Sequence, residues 1–322
     1  MAGIDEFDAI SRWFAPLAGE EGRGLKDDAA VADLEGAYVF STDMIVEGVH
    51  FLPTDPIATV AQKALRVSLS DLAGKGAKPI GYLVALAWPR GRDGAEIEGF
   101  AAGLQADQQL FGLKLWGGDT TATEGPLSVS VTAIGKALSP RPPDRAGARV
   151  GDDLWVSGVI GDGYLGLAAA RGAAPICVAP YTHELIAHYR TPAPRLDWAD
   201  LVARWATAAM DVSDGLLADA AKLAAASSVQ IQLDAEAVPL SPAGRAFVGA
   251  GGALQDLCAG GDDYQLLFTT PPGARAVIER RGGGARGPVR IGMAASGAGV
   301  SVRGANGVTL DWLSSGFSHR LG

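Results

Sequence analysis

Apolar runs that stop at an aspartate flanked by serine, threonine or glycine recur along this chain, and that device constrains its fold more than any other feature. The run at 37–40 gives way to Ser41, Thr42 and Asp43, and Glu47 and His50 follow within reach of the same cleft. The short run at 114–116 gives way to Gly117, Gly118, Asp119, Thr120 and Thr121. Met210 leads into Asp211, Val212, Ser213, Asp214 and Gly215, where a new helix is expected to begin. Asp27 and Asp28 stand just ahead of another apolar start. Short apolar runs bounded this way read as buried strands. In open α/β sheets ligands collect at strand ends. The pattern therefore predicts α/β sheets whose polar strand ends gather a ligand.

Helical periodicity supplies the other layer. Residues 3–18 place Ile4, Phe7, Ile10, Phe14 and Leu17 on one face of a short amphipathic helix. Asp55 and Pro56 read as the cap and first residue of a second helix. Its stripe holds Ile57, Val60, Ala61, Ala64, Leu65, Ser68 and Leu72, and Asp71 falls on that stripe rather than on the wet face. A buried lone carboxylate costs several kcal/mol unless it is paired or holds a metal. Residues 81–88 read as a continuous apolar strand, 93–111 as a helix closed by Gly112, and 127–133 as an alternating strand. Pro140, Pro142, Pro143, Gly147 and Gly151 mark a boundary between domains at 1–139 and 150–322. In the second domain, strands are expected at 154–158, 229–233 and 266–268, and helices from the 161–163 turn to 171, at 198–207 and up to 226. Residues 175–195, with four prolines, read as irregular.

Charge narrows the function. Lys plus Arg number 27 against 36 Asp plus Glu, a net charge of −9. That disfavours nucleic acid, which needs a basic face. A phosphate substrate would need metal ions as intermediaries. The two cysteines, Cys177 and Cys258, have neither a disulfide framework nor zinc spacing. The acidic start has no signal-peptide core, and the longest apolar run is far too short to span a bilayer, so a cytoplasmic protein without membrane contact is expected. No P-loop and no GxSxG motif occurs. Six recurring acids, Asp28, Asp43, Asp71, Asp119, Asp211 and Asp214, would repel one another without cations. Mg²⁺ is held by one or two carboxylates plus phosphates and water, so the set implies more than one Mg²⁺ ion and phosphoryl transfer.

In order along the chain, Asp27-Asp28-Ala29-Ala30-Val31, Ser41-Thr42-Asp43 with Gly48-Val49-His50-Phe51, Ser70-Asp71-Leu72-Ala73, Gly117-Gly118-Asp119-Thr120, Asp211-Val212-Ser213-Asp214-Gly215-Leu216 and Gly260-Gly261-Asp262-Asp263-Tyr264 closely resemble the thiamine-monophosphate kinase family. The resemblance implies an α/β fold of α+β type, the two-domain aminoimidazole ribonucleotide synthetase-like fold. It has an N-terminal mixed sheet with helices, a C-terminal α/β domain, and dimerisation through the N-terminal sheets. It implies phosphorylation of thiamine monophosphate by ATP to thiamine diphosphate. By resemblance, Asp28, Thr42, Asp43, Asp71, Asp119, Asp211 and Asp214 would bind Mg²⁺, with Ser41 in the same polar cluster. Gly118, Asp119, Arg145 and Ser213 would contact ATP. His50, Asp262 and Phe317 would contact thiamine monophosphate. The attacking phosphate oxygen is already anionic, so no covalent nucleophile or strong base is assigned. Three departures stand out: Lys26 replaces a usual Gly, Asp262 a usual Glu, and Gln265 a second Glu of small expected consequence. The alternatives are another ATP-using member of the superfamily with a different acceptor, or a non-catalytic Mg-nucleotide-binding regulator.

Overall fold

The computed structural model describes residues 6–26, 29–281, 287–312 and 316. It divides into two compact units, Met1–Leu72 with Ala77–Pro140, and Ala73–Gly76 with Arg141–Gly322. Among the described residues no helix is long and apolar enough to cross a membrane.

The first unit runs α1 (Glu6–Ala9), β1 (Tyr38–Val46), α2 (Ile57–Gly74), β2 (Ala77–Pro89), α3 (Gly94–Phe111), β3 (Lys114–Thr123) and β4 (Ser128–Ala137). Its sheet has the order β1-β4-β2-β3. The β1/β4 and β4/β2 pairs are antiparallel and β2/β3 is parallel, giving the mixed sheet expected. Two strands extend further than the sequence suggests. β1 continues through Ser41, Thr42 and Asp43 to Val46, and β3 continues through Gly117 to Thr123. The ladders to β4 and β2 hold these residues extended whatever their side chains prefer. The acids and hydroxyls therefore lie within strands, where neighbours point to opposite faces.

One face of this sheet is covered. The stripe of α2 buries Val60, Ala61, Ala64, Leu65, Leu69 and Leu72, each at most 2 % exposed. α3 forms as its ends dictate: Asp93 accepts the Glu96 N–H at the start, and Gly112 closes it at φ 69°. The expected helix at 3–18 is broken instead. α1 gives way to a wide turn at Ile10–Phe14 and a tight one at Ala15–Leu17. Pro16 cannot donate to a continuing helix, yet Phe14 and Leu17 are still buried.

The second unit contains β5 (Asp153–Val156), α4 (Asp162–Ala170), α5 (Thr182–Arg190), α6 (Ala199–Trp205), β6 (Ala208–Val212), α7 (Leu216–Ser227), β7 (Gln230–Asp234), α8 (Pro242–Gly249), α9 (Leu254–Ala259), β8 (Gln265–Thr270), α10 (Arg275–Arg281), β9 (Val289–Ala295), β10 (Gly299–Arg303) and β11 (Thr309–Leu310). The seven strands form one sheet in the order β11-β10-β7-β9-β5-β8-β6. Alternate residues feed two layers. Leu154, Val156, Met210, Val212 and Leu267 pack with Leu216, Leu217 and Leu223 of α7. Trp155, Ala209, Leu266 and Phe268 pack with Trp198, Leu201 and Val202. The segment at 175–195 is not irregular throughout. Its prolines lie outside 182–190, which leaves that stretch free to form α5.

Candidate active site

Within the first unit, β1 and α2 bring two of the expected metal ligands together. Ser41 Oγ donates to Asp71 Oδ2 in a very short contact. Ser68 Oγ, on the buried stripe of α2, donates to Asp43 Oδ2 at 2.8 Å. Asp43 is pushed up to about 6 by burial first and by the Asp71 charge second, with the Ser68 hydrogen bond opposing. Thr42 does not join this cluster. Strand alternation turns it to the other face, where its Oγ1 lies 2.8 Å from Thr132 Oγ1.

That other face holds a cavity of about 610 Å³. Its floor is the glycine-rich part of β3, Gly117 and Gly118, with Asp119 and Thr120 continuing it and Ser130 and Thr132 supplying hydroxyls. Phe14 and Leu25 contribute apolar walls. A Cβ at Gly118 would sit 1.8 Å from Val84 O, so no other residue fits between the strands there. Asp119 lines this cavity, whereas Asp43 and Asp71 do not. Among the described residues, no three acidic, His or Cys side chains gather into one metal-sized group. Asp28 lies outside the described residues.

His50 sits on a tied-down turn after β1. Val46 N–H donates to its Nδ1 at 3.0 Å, and the fully buried Lys63 donates from Nζ to its carbonyl at 2.9 Å. Glu47 is not a free ligand. Its carboxylate accepts from Arg92 Nη2 at 2.8 Å and from Leu127 N–H at 3.2 Å, which pins the turn to the sheet.

In the second unit three glycine-containing loops converge. Asp262 N–H donates to Ser213 O at 2.9 Å and Tyr264 N–H to Val212 O at 2.8 Å. The motifs around 213 and 262 thus form one structure. A Cβ on Gly261 would lie 2.4 Å from Ser213 O, so the close approach requires glycine. Asp262 (φ 68°) and Tyr264 (φ 48°) are both left-handed, and Tyr264 Oη donates to Asp262 Oδ1 at 3.1 Å. Between them the fully buried Asp263 accepts from Gly161 N–H at 2.8 Å and Gly163 N–H at 2.9 Å, capping α4 from a distant part of the chain. Burial pushes Asp263 up to about 8, although those two N–H groups favour its charged form.

Just ahead of α7, Ser213 N–H and Asp214 N–H both donate to Asp219 Oδ2 at 3.0 Å, which ties the loop to the first turn of that helix. Lys222 Nζ donates to Asp219 Oδ1 at 2.7 Å and, in a very short contact, to Asp214 Oδ2. Asp211 lies one strand position before this loop and is 7 % exposed. The Arg145 carbonyl accepts from Ser227 Oγ at 2.9 Å at the C-terminal end of α7, about 17 Å from Leu216 by helix rise. Phe317 lies outside the described residues.

Asp219, Lys222, Asp263 and Lys63 escaped sequence reasoning. Asp219 carried a usable signal: it falls on the face of α7 that buries Leu216, Ala220 and Leu223, as Asp71 falls on the stripe of α2. Gln265 is no bystander either. Buried at 4 % exposure, its Oε1 accepts from Ser157 Oγ and Arg195 Nη1, and its Nε2 donates to Asp263 O.

A mixed four-stranded sheet with a glycine-floored cavity in one unit, and interlocking acidic loops in the other, define an AIR synthase-related α/β protein. Residues 26–137 match the family model "AIR synthase related protein, N-terminal domain". The chain is 44 % identical over 276 residues to thiamine-monophosphate kinase of Caulobacter vibrioides, covering 83 % of this chain and 77 % of that protein. It is 35 % identical over 322 residues to the Salmonella typhimurium thiamine-monophosphate kinase, covering 98 % of each. A solved structure of AaThiL complexed with AMPPCP and TMP superposes with a TM-score of 0.76 at 32 % identity, covering 89 % of this chain and 90 % of that one. The chain belongs to the thiamine-monophosphate kinase family and is an enzyme, a kinase.

Proposed function

We propose that this chain transfers the γ-phosphoryl group of ATP to the phosphate of thiamine monophosphate, giving thiamine diphosphate and ADP, by direct in-line displacement. The observation that carries the reading is the cavity floored by Gly117 and Gly118. Its backbone is bare of side chains, flanked by Ser130 and Thr132 hydroxyls, and terminated by Asp119. Such a surface suits close approach of a nucleotide's phosphates. Family membership and a relative's complex with AMPPCP and TMP support the same pair of substrates.

The donor set fits Mg²⁺. Asp43 and Asp71 offer hard oxygen ligands with serine hydroxyls beside them, and burial together with the neighbouring Asp71 charge makes ionised Asp43 costly without a cation. In the first unit Asp43 with Asp71, and separately Asp119 at the cavity, would hold such ions, in the second unit Asp211 and Asp214 would, and Asp28 joins the set by resemblance alone. Bound Mg²⁺ supplies charge neutralisation at the transferring phosphoryl group. The protein's own contribution is positioning. The bare backbone of Gly117 and Gly118 floors the nucleotide cavity, the turn anchored by Arg92 and Lys63 orients His50, and Asp263 fixes Asp262 beside Ser213. The acceptor oxygen is already anionic, so no side chain need remove a proton.

We further propose a cytoplasmic homodimer joined through the open face of the first sheet, where Phe40 is 60 % and Met44 58 % exposed. The test of the reaction is product analysis. Purified protein with ATP, Mg²⁺ and thiamine monophosphate should yield thiamine diphosphate and ADP, with free thiamine unreactive. ADP released with no thiamine diphosphate would point to another acceptor within the superfamily.

A further inference from the structure

Lys222 is the cation already present at the second unit's proposed metal site. It stands one α-helical turn after Asp219 and bonds both Asp219 Oδ1 and Asp214 Oδ2. The two acids are not equivalent. Asp219 is fully buried and its other oxygen is committed to the Ser213 and Asp214 N–H groups. The Asp214 side chain is 32 % exposed and that of Lys222 39 %. One end of this triad is locked and the other opens to solvent.

We propose that Lys222 is a resident counter-ion that competes with Mg²⁺ for Asp214 and is displaced from it, while remaining on Asp219, when the metal binds. The inference rests on the reading of Asp214 as a metal ligand. Three physical points carry it. An ammonium and a divalent cation cannot share one carboxylate oxygen at contact distance without strong repulsion. Asp219 cannot follow the metal without releasing two backbone N–H groups. Lysine is a flexible point charge on a four-carbon stem, so it can leave Asp214 while keeping Asp219. Lys222 therefore keeps the acidic loop folded when no metal is bound, and it sets the metal affinity below what the carboxylates alone would give. It is a positioning residue, not a catalytic one.

The test is a direct metal titration. Mn²⁺ binding would be followed by electron paramagnetic resonance and Mg²⁺ binding by calorimetry, each with and without a non-hydrolysable ATP analogue. The proteins compared are the wild type, Lys222→Met, Lys222→Arg and Asp214→Asn. Lys222→Met should bind the Asp214-dependent ion about tenfold tighter, and Lys222→Arg should stay near the wild type. The metal-induced rise in melting temperature should also be larger in Lys222→Met. If that variant fails to fold, the double variant Asp219→Asn/Lys222→Met removes the stranded buried charge and should show the same tightening. Equal affinities in the wild type and Lys222→Met, with binding lost in Asp214→Asn, would overturn the counter-ion role and leave the metal reading standing. Unchanged binding in Asp214→Asn would overturn both.

Discussion

At Asp43, burial and the Asp71 charge both disfavour ionisation, and the carboxyl is raised from 3.8 to about 6. The unfolded chain therefore releases this proton first. Between about pH 4 and 6 the native state still holds it, so Asp43's contribution to stability falls as pH rises through that window and stays low above it. In chelator-treated protein at pH 8, Asp43→Asn should raise stability by up to about 3 kcal/mol, because the amide oxygen can still accept from Ser68. At pH 4 the gain should vanish. Urea denaturation at the two pH values measures this, and an equal gain at both would show that charge is not the cause. Asp71 and Asp43 illustrate how far residues can be read singly. The position of Asp71 on an apolar stripe announced a partner, but only the packing of α2 on β1 revealed that its neighbours are Ser41 and Asp43.

Among elements, α4 shows a helix end secured from a distance. Its N-terminal glycine offers no side chain, and the carboxylate of Asp263 accepts the Gly161 and Gly163 N–H groups instead. Asp263→Ala strands both donors in the interior. At roughly 1–3 kcal/mol for each unsatisfied group, a loss of about 3 kcal/mol is expected. Asp263→Asn, which keeps one acceptor, should lose about half as much. A loss below about 1 kcal/mol in a urea titration of Asp263→Ala would remove this cap from the account. This cap lies outside the local patterns that identified α3, whose Asp93 and Gly112 are adjacent to the helix they close. Local caps are legible in sequence because they act within one turn. Caps brought from another loop depend on the sheet that positions that loop.

For the whole molecule, the first sheet presents polar clusters on both faces. One side packs α2 and places Asp43 against Asp71, while the other holds the glycine-floored cavity and the exposed Phe40 and Met44. If that open face joins two copies, Phe40→Lys with Met44→Lys should convert the dimer to monomers in light scattering while leaving the circular dichroism spectrum unchanged. A wild type that is already monomeric at micromolar concentration would exclude the arrangement.

What the sequence determined by itself follows from local physics. Hydrophobic periodicity, caps and glycine–acid motifs specified the α/β class, most helices and strands, and the family. The tertiary structure decided which polar groups meet. Pairing with β4 carried β1 through Ser41, Thr42 and Asp43 and sent Thr42 to the face opposite Asp43. The docking of the 262 loop on the 213 loop joined motifs almost fifty residues apart, and Asp219 of α7 took the Ser213 and Asp214 N–H groups of the loop before it. The physical reason is that propensity and periodicity act over a few residues. The partner of a buried charge is set by whichever strand or helix the fold lays beside it.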